Sequence, residues 1–126
     1  MGLESLSLIV VFAKDYQAMK DWYGKALGLV LDEQRTSDEG MWAQFDLPKG
    51  GTIAIHGGIP VAKTEGGVPP IVPVLHVSDI EATIEEMKER GVEFVKEARS
   101  LGEPTVVGAD FVDAEGNLLQ VVEVKR

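Results

Sequence analysis

Hydrophobic residues recur with two different spacings along the first half of the chain. Residues 6–13, LSLIVVFA, form an almost continuous apolar run of the length of one strand. In the next segment, DYQAMKDWYGKALG, apolar positions recur every three or four residues, which predicts an amphipathic helix capped by Asp15 and closed by Gly28. Three short segments of strand character follow: LVLDEQR, MWAQFDL and GTIAIHG. The first half therefore predicts the element order βαβββ.

The second half repeats this order. PIVPVLHV predicts a strand, SDIEATIEEMKERG predicts a helix capped by Asp79 and closed by Gly91, and three more strands are predicted in VEFVKEA, TVVGADFVD and NLLQVVEV. Asp15 and Asp79 are 64 residues apart, and Ala18 and Ala82 repeat that offset. An internal duplication explains this repetition. We predict a first module over residues 1–56, a glycine- and proline-rich linker over 57–69 and a second module over 70–126.

Composition and charge exclude several classes of function. The chain has 126 residues, 44% of them hydrophobic, and no cysteine, so it needs no disulfides and has no thiolate nucleophile or sulfur-ligated metal. Its formal charge of −9 without a basic cluster argues against nucleic acid and anionic membranes as partners. The N-terminal stretch carries Glu4 where a signal peptide would be positively charged. We therefore expect a cytoplasmic protein.

The two βαβββ units, together with the segments WYGKALGL and VDAEGNLLQVVE, resemble the vicinal oxygen chelate superfamily of glyoxalase, bleomycin resistance protein and extradiol dioxygenase. Within it, FDLPKGGTIAIHGG is most similar to the small glyoxalase-like proteins. The resemblance covers essentially the whole chain and implies an α+β fold: tandem βαβββ modules form two curved mixed sheets around a shared cleft, with the helices outside. The resemblance also implies a homodimer. Whether the cleft lies within one chain or between two chains is left open by the sequence.

Alternation along the predicted strands divides their residues between a helix-facing side and a cleft-facing side. The sequence allows two positions for Trp42: its side chain packs in the core, or it forms part of the cleft wall. The cleft side would supply the ligand-binding residues Leu8, Val10, Phe12, Trp42, Gln44, Ala54, His56, Val72, Val74, His76, Asp110 and Gln120.

The resemblance also locates the metal ligands of the family's enzymes, typically two His or Gln and two Glu, at Leu8, Ala54, Val72 and Gln120 of this chain. Leu8, Ala54 and Val72 have no nitrogen or oxygen ligand in their side chains, so we expect neither the standard metal site nor a cofactor. A less favoured alternative is a divalent metal held by His56 and His76 with Asp110 or Gln120. Glu123 should lie on the opposite face of its strand from Gln120.

These observations leave three functions open. The first is a protein that binds a small organic molecule, aromatic or cationic, in an apolar cleft without the standard metal site. The second is an enzyme: a metal-dependent lyase, isomerase or dioxygenase of the glyoxalase type with a non-standard histidine-based site, or a metal-free enzyme with His56 or His76 as the base. The third is an interaction module without a small ligand.

Overall fold

The computed structural model describes residues 2–62, 66–102 and 105–125. The chain divides into two compact units, Met1–Lys63 and Thr64–Arg126. Each unit contains one four-stranded sheet and one α-helix. In the described part of the chain, neither helix is long and apolar enough to cross a membrane.

The first unit builds a mixed sheet in the order β1-β4-β3-β2, in which β1 runs parallel to β4 and the other pairs are antiparallel. Helix α1 packs against β3 and β4. A short 3₁₀ helix, Glu33–Arg35, follows β2. The elements are β1 Ile9–Phe12, α1 Tyr16–Lys25, β2 Val30–Leu31, β3 Trp42–Asp46 and β4 Thr52–His56.

The second unit repeats this architecture. Its sheet has the order β5-β8-β7-β6, again with one parallel pair, β5 with β8, and antiparallel pairs elsewhere. Helix α2 packs against β6 and β8. The elements are β5 Val74–His76, α2 Ile80–Glu89, β6 Glu93–Ser100, β7 Val106–Val112 and β8 Leu118–Val124. The predicted α+β class with two mixed sheets and a repeated element order is confirmed.

Both helices begin with the caps that the sequence predicts. The side chain of Asp15 accepts a hydrogen bond of 3.0 Å from the backbone N–H of Ala18, and Asp79 accepts one of 3.1 Å from Ala82. Each cap satisfies an amide of the first turn that has no partner within the helix.

One face of each sheet packs under its helix and forms the core of its unit. In the first unit these residues include Met19 and Tyr23 from α1, which are fully buried, and Phe45 from β3. In the second they include Ile80 from α2 and Phe111 from β7. Burial of such large apolar side chains stabilises each unit by roughly 2 kcal/mol per residue.

Several strands are shorter than predicted. The segment LVLDEQR forms only the two-residue strand β2, because the side chain of Asp32 accepts from the N–H of Arg35 at 3.3 Å and turns the chain into the 3₁₀ helix. Leu8 and Val72 were expected inside strands but precede β1 and β5. Both are edge strands with a single partner, and next to β5, Pro73 lacks the N–H that a further backbone pair needs.

Candidate functional site

In the first unit, six predicted site residues lie side by side on the face of the sheet opposite α1, here called the aromatic face. The strand register places Ala54 between Val10 and Gln44, and His56 between Phe12 and Trp42. Their neighbours in sequence, such as Ile53, Ile55 and Phe45, are buried on the helix side. Trp42 is therefore not part of the core under α1. The aromatic face consists of Val10, Phe12, Trp42, Gln44, Ala54 and His56.

On this face the ring of His56 contacts the rings of both Phe12 and Trp42. The centroid of the His56 ring lies 5.7 Å from that of Phe12 and 5.3 Å from that of Trp42, the latter in an edge-to-face arrangement at 70°. The indole Nε1 of Trp42 donates to Oε1 of Gln44 at 3.3 Å. Phe12 is 43% exposed, and Trp42 and His56 are half-buried. These rings supply a large apolar contact area with one imidazole that can donate or accept a hydrogen bond.

A network between α1 and the turn before β3 positions Trp42. The hydroxyl of Tyr16 donates to Asp38 at 2.7 Å, and the ammonium of Lys20 donates to the same carboxylate at 2.9 Å. Backbone pairing between Ser37 and Trp42 closes the turn, and Met41 adopts a left-handed φ of 51° there. The hydrogen bonds from Lys20 and Tyr16 lower the pKa of Asp38, while burial and the Asp38 carboxylate raise that of Tyr16.

In the second unit, the face of the sheet opposite α2 carries polar side chains and is here called the polar face. One row of the register contains Val74, Gln120 and Asp110, and the next contains His76, Val122 and Gly108. The amide Nε2 of Gln120 donates to Oδ1 of Asp110 at 2.9 Å. Because an ionised carboxylate only accepts, this contact orients the amide and leaves Oε1 of Gln120 as its acceptor. His76 is exposed, whereas Asp110 is buried.

Two cations of β6 complete the polar face, and our sequence analysis did not identify them. Nη1 of Arg99 donates to Oδ1 of Asp110 at 3.0 Å, and Lys96 is paired with Asp110 in the register. Two register shifts, between Phe94 and Lys96 and between Lys96 and Arg99, place both cations on the same face although they are three residues apart. Simple alternation from Phe94, whose ring contacts the buried Phe111, would place Arg99 on this face but Lys96 on the other, so the sequence carried only part of the signal.

Burial and charge act in opposite directions on Asp110. Burial alone would raise the pKa of its carboxyl group, but the hydrogen bonds from Arg99 and Gln120 and the positive charges of Arg99 and Lys96 together outweigh it. The net pKa lies below the ordinary value of 3.8, so the carboxylate is ionised at neutral pH. The polar face thus holds a buried anion that is already engaged by two donors.

The four positions that the resemblance assigns to the family's metal ligands do not fit a divalent cation. Leu8, Ala54 and Val72 offer no donor atom, and the amide of Gln120 is bound to Asp110. One nitrogen or oxygen ligand falls short of the several that such an ion needs.

The acidic residues beside α2 have other partners. Among the described residues, one group of three acidic side chains lies close enough to hold an ion: Asp79, Glu81 and Glu123. Oε1 of Glu123 accepts from the N–H of Ile80 at 2.8 Å, Glu81 is paired with Lys125 at 2.9 Å, and Asp79 caps the helix. Glu123 thus lies on the helix side of its strand, as alternation predicted.

Two of the concavities formed by described residues lie away from the aromatic and polar faces. One, of about 180 Å³, lies between α1 and the β2–β3 edge, with Gly24, Leu29, Leu31 and Phe45 among its lining residues. It is smaller than the roughly 300 Å³ at which ligand pockets usually begin. The other is an open depression lined only by residues of α2: Glu81, Ile84, Glu85, Lys88 and Glu89. Neither one contains a predicted site residue.

The architecture defines the class of protein. Residues 5–121 match the family model of the Glyoxalase/Bleomycin resistance protein/Dioxygenase superfamily, and the chain belongs to this superfamily. The comparison with curated protein sequences gave no match.

Solved structures share the fold at low sequence identity. TnmS3, described as an antibiotic binding protein from Streptomyces sp. CB03234, is 21% identical with a TM-score of 0.77, and 99% of each chain is covered. UcmS2 is 24% identical with a TM-score of 0.75, and 96% of this chain and 98% of that chain are covered. TioX from Micromonospora sp. ML1 is 22% identical with a TM-score of 0.71, covering 94% and 98%. At these identities the similarity establishes the fold alone.

Proposed function

We propose that this protein binds a small organic molecule with an aromatic body on the aromatic face of its first sheet, without the metal site of the family's enzymes. The observation that carries the proposal is the contact between Phe12, His56 and Trp42, three rings on a face that does not pack under the helix. Such rings favour planar apolar ligands, and a few polar groups beside them would fix the ligand's orientation.

The donor chemistry supports binding rather than metal-assisted catalysis. Three of the four positions that correspond to metal ligands are aliphatic, and the remaining amide is hydrogen-bonded to Asp110. That TnmS3, which has the same fold, is described as an antibiotic binding protein is consistent with the proposal. The expected homodimer stays a prediction, which light scattering of the purified protein would check.

A thermal-shift screen with planar aromatic compounds, neutral, cationic and anionic, tests the proposal. A ligand at one hundred times its dissociation constant stabilises the folded state by about 2.7 kcal/mol, which raises Tm by roughly 10 °C. We expect at least one compound in the panel to do so. A panel that leaves Tm unchanged would contradict the proposal.

The two tryptophans of the chain report where such a compound binds. Trp42 lies on the aromatic face, whereas Trp22 lies in α1, so each can be observed separately in the variants Trp22→Phe and Trp42→Phe. We expect the ligand to change the fluorescence of Trp42 in Trp22→Phe and to leave that of Trp22 unchanged in the matched variant Trp42→Phe. A response of Trp22 alone would place binding elsewhere and contradict the assignment to the aromatic face.

A further inference from the structure

The charged residues of the polar face carry an inference about the ligand's chemistry. Asp110 is the carboxylate in the Val74–Gln120–Asp110 row, and its Oδ1 accepts from both Arg99 and Gln120. A cationic ligand would therefore meet an anion that is already neutralised, with the guanidinium of Arg99 beside it. Like charges placed together in a half-buried position disfavour binding.

Arg99 has donors beyond those that hold Asp110. Both hydrogen bonds that the structure records between Arg99 and described residues, to Asp110 at 3.0 Å and to the backbone oxygen of Gly108 at 3.4 Å, come from Nη1. A guanidinium carries five N–H donors, so Nη2 and Nε are left to bind an oxygen atom. The side chain is 35% exposed, which leaves it accessible to a small molecule.

Gly108 lies beside Arg99 on the polar face. It is the partner of Arg99 in the register and lies on the same face as Asp110, two residues before it in β7. A Cβ atom at this position would lie 2.5 Å from Cδ1 of Leu101, so a side chain here would displace a neighbour. Gly108 therefore leaves room for the side chain of Leu101, and its carbonyl oxygen accepts the second hydrogen bond of Arg99.

We propose that the polar face binds the carboxylate group of a small aromatic molecule through Arg99, and that the protein selects anionic over cationic aromatic compounds. This inference rests on the proposed function. The formal charge of −9 acts against it only weakly, because salt at physiological ionic strength screens charges more than about 8 Å away, whereas Arg99 would contact the ligand directly. The carboxylate of Glu93 is also on this face, but its partner in the register is Val112, whereas the partner of Arg99 is Gly108. Lys96 therefore lies between Glu93 and Arg99 along β6.

Three compounds with one ring system test the preference by isothermal titration calorimetry: 2-naphthoate, 2-naphthamide and 2-naphthylmethylamine. We expect the carboxylate to bind about tenfold to a hundredfold more tightly than the amine, since hydrogen bonds to charged groups are worth that much, and the amide to lie between them. Equal affinities, or tighter binding of the amine, would overturn the inference and leave the proposed function standing.

Variants of Arg99 test the residue. Arg99→Gln should lower the affinity for 2-naphthoate by about tenfold or more and change the affinity for 2-naphthamide by less than about threefold. Arg99→Lys keeps the charge but not the planar guanidinium, so its affinity for 2-naphthoate should lie between those of the wild type and Arg99→Gln. Arg90→Gln is the matched control, because Arg90 is paired with Glu86 on the surface of α2 and its loss removes the same charge. An unchanged preference in Arg99→Gln would overturn the inference.

Asp110→Asn keeps the inference testable if Arg99→Gln does not fold. Removing the carboxylate frees Arg99, so 2-naphthoate should bind several-fold more tightly, a gain that a purely structural role would not produce. Weaker binding of 2-naphthoate by folded Asp110→Asn would contradict the inference. If none of the three compounds binds the wild type, the inference fails, whereas the proposed function is judged separately by the response of Tm and of Trp42 to the aromatic panel.

Discussion

The two units have the same architecture but present different chemistry on the faces opposite their helices. Both have the order βαβββ, one parallel strand pair and a helix capped by an aspartate, Asp15 or Asp79. The aromatic face of the first unit contains three touching rings, whereas the polar face of the second contains Asp110, Gln120 and Arg99 in a hydrogen-bonded cluster. The helix side sets the fold, and the opposite side is where the two copies differ.

The largest difference in the free energy of unfolding should be between variants on the helix side of the sheets and a variant on the aromatic face. Phe45→Ala and Phe111→Ala each remove a fully buried ring under a helix, and each should lower the free energy of unfolding by about 3–5 kcal/mol. Phe12→Ala removes a ring that is 43% exposed on the aromatic face and should cost about 1 kcal/mol. Urea denaturation measures all three. A cost for Phe12→Ala that equals the other two would mean that this face is part of the core.

The ion pair of the polar face should contribute a smaller, pH-dependent stability. Asp110→Ala leaves Arg99 and Gln120 without their acceptor and should cost about 1–2 kcal/mol at pH 7, a value discounted for the partial exposure of Arg99. The pKa of Asp110 is lower in the folded protein than in the unfolded one. This stability is therefore fully present at pH values above the pKa of the unfolded state, and it is lost as the pH falls through the pKa of the folded state.

Urea denaturation from pH 7 to pH 2 of wild type and Asp110→Ala measures this effect. The difference between the two proteins should shrink below the ordinary carboxyl pKa of 3.8. A difference that stays constant over this range would show that the carboxylate is not stabilised by Arg99.

The two helix caps should differ slightly in how much they stabilise the folded protein. Asp15→Ala should cost about 1 kcal/mol, the usual value of such a cap. Asp79→Ala should cost less, because it also removes one of three carboxylates that lie within 4.8 Å of one another. Asp79→Asn keeps the capping oxygen while removing the charge and should be neutral or slightly stabilising. Thermal unfolding at pH 7 compares the three variants; a larger cost for Asp79→Asn than for Asp15→Ala would contradict this account.

The smallest effect concerns the family's metal ligand. Gln120→Glu restores a carboxylate at the position that the resemblance assigns to a ligand, but Leu8, Ala54 and Val72 still offer no donor. Elemental analysis of the variant should therefore find no stoichiometric metal. Because the amide nitrogen lies 2.9 Å from Asp110, the new carboxylate should also cost about 0.5–1 kcal/mol through repulsion. Metal binding by this variant would show that the ligand positions are assigned wrongly.

The sequence predicted most of the fold because the helix side follows simple periodicities. Helix spacing, the aspartate caps and the repeat at an offset of 64 residues predicted the element order, and alternation predicted that Glu123 lies on the opposite face of its strand from Gln120. The predicted strand ends were less accurate: β1 begins at Ile9 and β5 at Val74, directly after Pro73, so Leu8 and Val72 lie outside them. Simple alternation from Phe94 would place Arg99 on the polar face but Lys96 on the helix side. The register shifts in β6 bring Lys96 to the polar face as well, and such shifts break the alternation on which face assignment relies.

The central claim is that the protein binds an aromatic molecule without a metal, and calorimetric titration with and without a chelator tests it directly. The compound with the largest thermal shift is titrated into protein treated with EDTA and into untreated protein, with elemental analysis of both. We predict dissociation constants that agree within about twofold and no stoichiometric metal in either sample. Loss of binding after EDTA, with recovery on adding zinc, nickel, iron or manganese, would contradict the account.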